Sequence, residues 1–235
     1  MILSHRHKFI FIKTAKTAGT SIEVFLSQHC GPDDVVTPVI PPVEGHQPRN
    51  HKDLFNPLPE MCAGLNRLGD TCSDLLHRRK FYNHIRAVLV RARIPDQIWR
   101  CYFKFCVERN PWDKTLSHYH MHRHRAGGAL AFDEYLARGR FPINYRRYTD
   151  RSGREIIVDR VLRYEHLNTE LAEVCAQLGI PFTGSLETTA KTEYRADRTR
   201  YWEIFTDAQR RLIEQKFARE IELHGYRFNP ELAAK

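Results

Sequence analysis

Residues 8–28 read KFIFIKTAKTAGTSIEVFLSQ, and the fold turns on how this stretch is parsed. KFIFIK (8–13) is an apolar run between lysines and reads as a buried strand. Residues 20–28 read as a helix with Ile22, Phe25 and Leu26 on its inner side. FIKTAKTAGTS (11–21) joins them with two lysines, one glycine and four small hydroxyl residues. A strand that opens into a loop and then a helix aims backbone N–H groups and the helix dipole at an anion. Gly19 lets the backbone approach closely, Lys16 adds charge, and Thr17, Thr20 and Ser21 add hydroxyls. A plain strand-to-helix turn with its lysines in water would read the same way. The loop also departs from the P-loop pattern GxxxxGK[ST]. The first glycine is absent, the lysine precedes the glycine, and no Walker-B acid follows an apolar strand. These departures speak against an ordinary ATPase.

The chain has 235 residues, enough for a sizeable core, and no repeat or linker, so one domain spanning 1–235 is expected. A hydrophobic content of 42% excludes a disordered chain, and a net charge of +9 suits an anionic ligand. No run approaches the roughly 20 apolar residues of a membrane span, and residues 1–13 do not read as a signal peptide. A cytoplasmic protein is expected. The six cysteines form no CxxC pair, which fits reduced, mostly buried thiols.

Strands and helices alternate along the rest of the chain. Residues 31–60, rich in proline, read as a long loop, and residues 61–80 are ambiguous. HIRAVLVRAR (84–93) reads as a helix, with a short helix at 96–99 and a strand at 102–109. Asn110 and Pro111 start a helix that Gly127-Gly128 breaks, and another covers 131–139. EIIVDRVLRYEHL (155–167) reads as one strand or the second half of a hairpin, Asn168 as the cap of the next helix, and Thr206 as the cap of a last helix closed by Gly225. The pattern implies an α/β fold with a mostly parallel central sheet flanked by helices.

A second strand-to-helix junction, VERNPWDKTLSHY (107–119), puts Arg109 at a strand's carboxyl end with Ser117 eight residues on. A guanidinium fork and a hydroxyl are apt partners for a phosphate dianion. Together these motifs resemble the sulfotransferases that use 3′-phosphoadenosine 5′-phosphosulfate (PAPS), most closely their bacterial and carbohydrate-type branch. FIKTAKTAGTS resembles the family's 5′-phosphosulfate loop, VERNPWDKTLSHY its 3′-phosphate motif, and RYEHL (163–167) a segment that follows it. The likeness runs from Phe9 to about Phe228.

The resemblance implies a P-loop-like three-layer sandwich, PAPS as cofactor and 3′-phosphoadenosine 5′-phosphate (PAP) as product. Lys16 would bind the 5′-phosphate and the bridging oxygen. Thr17, Ala18, Gly19, Thr20 and Ser21 would cradle the phosphosulfate, and Arg109 and Ser117 would hold the 3′-phosphate. AKTEYRADR (190–198) matches the family's basic C-terminal loop only loosely, and assigns Lys191 and Arg195 to cofactor phosphates. The expected acceptor is a hydroxyl, on a carbohydrate. A general base is needed, and His84 stands in the family's position, with His46 and His51 as rivals and Glu23 read as a surface or salt-bridged residue. His118 and His122, like His120 and His124, share helix faces, but no third ligand accompanies them, so no metal is expected. The rival readings are a nucleotide-dependent kinase of the P-loop type and a basic nucleic-acid-binding module. No helix-turn-helix, zinc or RRM pattern supports the latter.

Overall fold

Side-chain alternation in FIFI sets the layers of the molecule. Phe9 and Phe11 point to one side of the sheet and Ile10 and Ile12 to the other, and all four are buried. A strand covered on both faces must be apolar throughout, which is why this run shows no polar alternation. The computed structural model describes residues 1–62, 68–186 and 200–229.

Among these, five strands form one sheet: β1 (Ile2–Ser4), β2 (Phe9–Ile12), β3 (Val35–Val36), β4 (Phe103–Glu108) and β5 (Arg160–Arg163), in the order β3-β1-β2-β4-β5. β2, β4 and β5 are parallel, with Phe11 opposite Phe105 and Cys106 opposite Val161. β1 pairs antiparallel with β2 and β3, so the antiparallel part of the sheet lies at one side. The helices are α1 (Gly19–Gln28), α2 (Leu58–Met61), α3 (Leu68–Leu76), α4 (Ala87–Arg93), α5 (Asp96–Cys101), α6 (Pro111–Arg125), α7 (Phe132–Ala137), α8 (Tyr145–Tyr148), α9 (Leu167–Leu178), α10 (Tyr201–Ile204), α11 (Asp207–Lys216) and α12 (Ala218–His224).

Ile22 and Leu26 of α1 and Leu171 and Val174 of α9 cover the phenylalanine face. Leu89 and Val90 of α4, Trp99 of α5 and Tyr148 of α8 cover the isoleucine face. This is the three-layer α/β sandwich expected. A third cluster joins Trp112, Leu116 and Tyr119 of α6 to Ile213 and Phe217.

Several boundaries differ from expectation. The proline-rich segment contains β3 and α2, and β1 went unread, because two to four residues are too few to show a period. Arg93 ties α3, within the ambiguous 61–80 region, to α2. Its buried guanidinium pairs with Glu60 of α2 and with Asp74 of α3, the latter at 2.8 Å. The strand expected over 155–167 is confined to β5, with only a bridge between Thr149 and Ile156 before it. Asn168 lies inside α9, whose N-cap is His166. The last helix is two, α11 and α12, parted at Phe217, which is buried in the third cluster. Thr206 caps α11 in a capping box with Gln209, as expected. All six cysteines are free, but Cys62, Cys72 and Cys101 are exposed. No described helix is long and apolar enough to cross a membrane.

Candidate anion-binding site

Parallel pairing places the carboxyl ends of β2, β4 and β5 on one sheet edge, where open α/β sheets bind ligands. Each strand there runs into a turn and a helix. β2 leads through residues 13–18 to α1, β4 through Arg109 and Asn110 to α6, and β5 through the 3-10 turn Tyr164–His166 to α9. Residues of the three junctions line one cavity of about 1240 Å³.

In the first turn Lys16 and Ala18 adopt φ of 64° and 57°. The left-handed region costs a non-glycine residue roughly 1–2 kcal/mol, so other contacts must hold the turn. Alternating left-handed residues also form the concavities of N–H groups that bind anions. Gly19 is not left-handed. A Cβ there would lie 2.8 Å from Lys13 Cγ, so its requirement is close packing. Thr17 is buried, with its hydroxyl 2.7 Å from that of Thr14, and is turned into the loop. Glu23 is not on the surface. It is buried and takes Lys13 Nζ at 2.5 Å.

Asn144 supplies much of the restraint. Its Oδ1 accepts from Ala15 N at 2.8 Å and its Nδ2 donates to Ala15 O at 3.0 Å, gripping one residue of the loop as a neighbouring strand would. Asn144 is itself buried, with Nδ2 3.2 Å from Glu108 Oε1 and its backbone N–H donating to Glu220. The Asn144→Ala variant leaves the Ala15 amide without these partners. It is expected to lose about 1–3 kcal/mol of stability, read as a lower melting temperature, and to bind anions more weakly at the loop.

At the second junction Asn110 Oδ1 accepts from Trp112 N at 3.2 Å and Pro111 opens α6, the cap the sequence implies. Arg109 is held from several directions. Nε and Nη2 donate to Asp113 at 2.8 and 2.7 Å, Nη1 donates to the Lys16 carbonyl at 3.2 Å, and the guanidinium stacks 4.0 Å from the Tyr164 ring. Glu165 accepts from Asn110 N at 2.7 Å, joining the third turn to the second.

The histidines differ in what their nitrogens do. His84 lies before α4, not in its first turn, and adopts φ 61°. Its Nδ1 stands 3.2 Å from the Lys13 carbonyl, so Nδ1 carries the proton and the lone pair is on Nε2. Burial, with the charges of Arg147 and Lys13, pushes its pKa down to about 3. His118 also lines the cavity, but Nδ1 meets Tyr135 Oη at 2.8 Å and Nε2 meets His122 Nε2 at 3.2 Å. His46 gives Nε2 to the Thr37 carbonyl at 2.9 Å, and neither it nor His51 is among the described residues lining the cavity. Among the described residues, no group of three or more His, Cys, Asp or Glu side chains is placed to hold a metal ion.

The cavity thus gathers Lys16 to Ser21, His84, Arg109 and Ser117, all singled out from the sequence. Lys191 and Arg195 lie outside the described residues. Sequence reasoning missed Asn144 and Asn83, which carry no signal. Tyr164 and Glu165 fall in the quoted RYEHL and read there as residues that orient or pack, as Tyr164 does against Arg109 and Glu165 on the Asn110 amide.

No family model matches the chain. A protein of Archaeoglobus fulgidus, described as uncharacterized, is 31% identical over 115 residues, which is 46% of this chain and 96% of that protein. This chain belongs to the same family as that archaeal protein. A crystal structure of a sulfotransferase from Alicyclobacillus acidocaldarius aligns over 92% of this chain and 95% of its own, with a TM-score of 0.41 and 18% identity.

Proposed function

We propose that the chain is a sulfotransferase that moves the sulfuryl group of PAPS to an acceptor hydroxyl, on a carbohydrate, by in-line displacement. The observation that carries this reading is the meeting of two phosphate-type motifs 93 residues apart. Arg109 Nη1 donates to the Lys16 carbonyl, and both motifs line one cavity with His84. The donor set suits a nucleotide with an anion at each end. A cationic loop at a helix N-terminus faces one end, and a fixed guanidinium with a nearby hydroxyl faces the other. The carboxylates of Asp113 and Glu165 also line the cavity, but Arg109 and the Asn110 amide engage them, which limits their repulsion of an anion.

PAPS, when bound, supplies an activated sulfuryl group on a phosphate leaving group. Residues 17–21 would hold the phosphosulfate, and Arg109 and Ser117 the 3′-phosphate. Lys191 and Arg195 would add charge to the cofactor phosphates. Lys16 would neutralise charge gathering on the bridging oxygen. His84 Nε2 would take the proton of the acceptor hydroxyl. Calorimetric titration with PAP, with ATP and 5′-AMP as controls, tests the reading. Tight binding of the bisphosphate alone is expected. Arg109→Ala should weaken it by about tenfold or more, since hydrogen bonds to charged groups are worth roughly 1.5–3 kcal/mol. No binding of PAP, or equal binding of ATP, would sink the reading.

A further inference from the structure

Beside His84 the chain leaves a polar atom buried without a partner. Asn83 Oδ1 is shielded from solvent and accepts no hydrogen bond from the described residues, although Asn83 lines the cavity. Such groups are rare in folded proteins and cost stability unless a ligand completes them. The backbone here is pinned. The adjacent His84 is left-handed, its carbonyl takes Arg147 Nη1 at 2.5 Å, and its Nδ1 is held on the Lys13 carbonyl. Strain kept in place by surrounding contacts at a cavity wall is a feature of ligand sites. The terminal torsion of asparagine is soft, so the amide of this cavity-lining residue is free to turn toward a ligand. A primary amide both donates and accepts, and so matches a hydroxyl in either sense.

We infer that Asn83 binds a second hydroxyl of the acceptor, next to the one His84 deprotonates, so that the acceptor is a polyol with neighbouring hydroxyls and not a phenol or a simple alcohol. This rests on the reading of the cavity as a sulfotransferase site. Adjacent residues on one pinned turn would then address adjacent hydroxyls. The amide sets the register of the ring, and the imidazole takes the proton.

The test uses the full chain and sulfur-labelled PAPS, after PAP binding has been measured. Methyl α-D-glucoside, 1-propanol and phenol are offered as acceptors. Label is expected in the glucoside alone. Asn83→Ala should lower kcat/KM for it by about tenfold, the worth of one hydrogen bond, chiefly through KM, with PAP affinity unchanged and the melting temperature not lowered. The preference of the wild-type protein is a readout that needs no variant to fold. Equal labelling of propanol or phenol overturns the inference. So does unlabelled glucoside with a protein that binds PAP, or a folded Asn83→Ala variant with unchanged transfer. Absence of PAP binding appears before any acceptor is added and removes the parent reading with it.

Discussion

Replacing His84 with alanine is expected to lower sulfuryl transfer by about 10²–10⁴-fold, the usual worth of a positioned general base, while PAP binding is retained. Of the three histidines that line the cavity, His84, His118 and His166, the first two are separated by their bonding. His118 has both ring nitrogens engaged, by Tyr135 and His122, whereas His84 spends Nδ1 on the Lys13 carbonyl and keeps its lone pair on Nε2. The pH profile is a second readout. Burial and the charges of Arg147 and Lys13 hold the His84 pKa down to about 3, so the imidazole is neutral and able to accept a proton throughout the physiological range. The free-enzyme profile of kcat/KM should therefore show no acid limb near the ordinary value of 6.5, and activity should fall only as pH drops toward about 3. Negative charge entering the cavity raises this value, so the limb in kcat lies higher than that in kcat/KM. Full activity in the His84→Ala variant, with labelled PAPS and the acceptor found by screening, would pass the role to another residue.

The largest loss of stability is expected from Lys114→Met. Lys114 Nζ lies 2.6 Å from both Glu108 Oε1 and Glu220 Oε2, and all three side chains are fully buried. Glu108 also accepts from Tyr148 Oη at 2.9 Å, and Glu220 from the Tyr145 amide at 2.9 Å. Removing the shared cation leaves two buried carboxylates facing each other. Breaking a buried pair in this way costs about 3–5 kcal/mol, or roughly 6–20 °C in melting temperature for a chain of this size. Even with Lys114 present, burial and the Glu108 charge push Glu220 up to about 7. A carboxyl raised in the folded state contributes stability below its unfolded value of 4.5 and loses it as pH rises through the folded value. Without the cation the Glu220 value rises further, so the deficit of the variant should be greater at pH 8 than at pH 5. The same network holds Asn144, which holds Ala15, so PAP affinity should fall as well. An unchanged melting temperature would show that the triad is not under this load.

The three-layer fold was legible because it rests on local patterns. FIFI is apolar on both faces, the Asn-Pro start and Thr206 cap mark helix beginnings, and two strand-loop-helix junctions announce an anion site. The short elements β1, β3 and α2 were not, since their pairing depends on distant partners: Ile2 with Phe11 and Val36, and Glu60 with Arg93. Nor was the His84 geometry, because a left-handed residue before a helix looks like the helix itself in sequence.

By itself the sequence determined the α/β class, the loop at residues 13–21 and the Arg109–Ser117 motif, because backbone propensity and side-chain period act over a few residues. Tertiary structure decided which side chains serve the cavity. Parallel pairing brings three turns to one edge, Asn144 grips the loop from 129 residues away, and burial sets the protonation state of His84. Those depend on distance and desolvation, quantities that exist only once the chain has closed on itself.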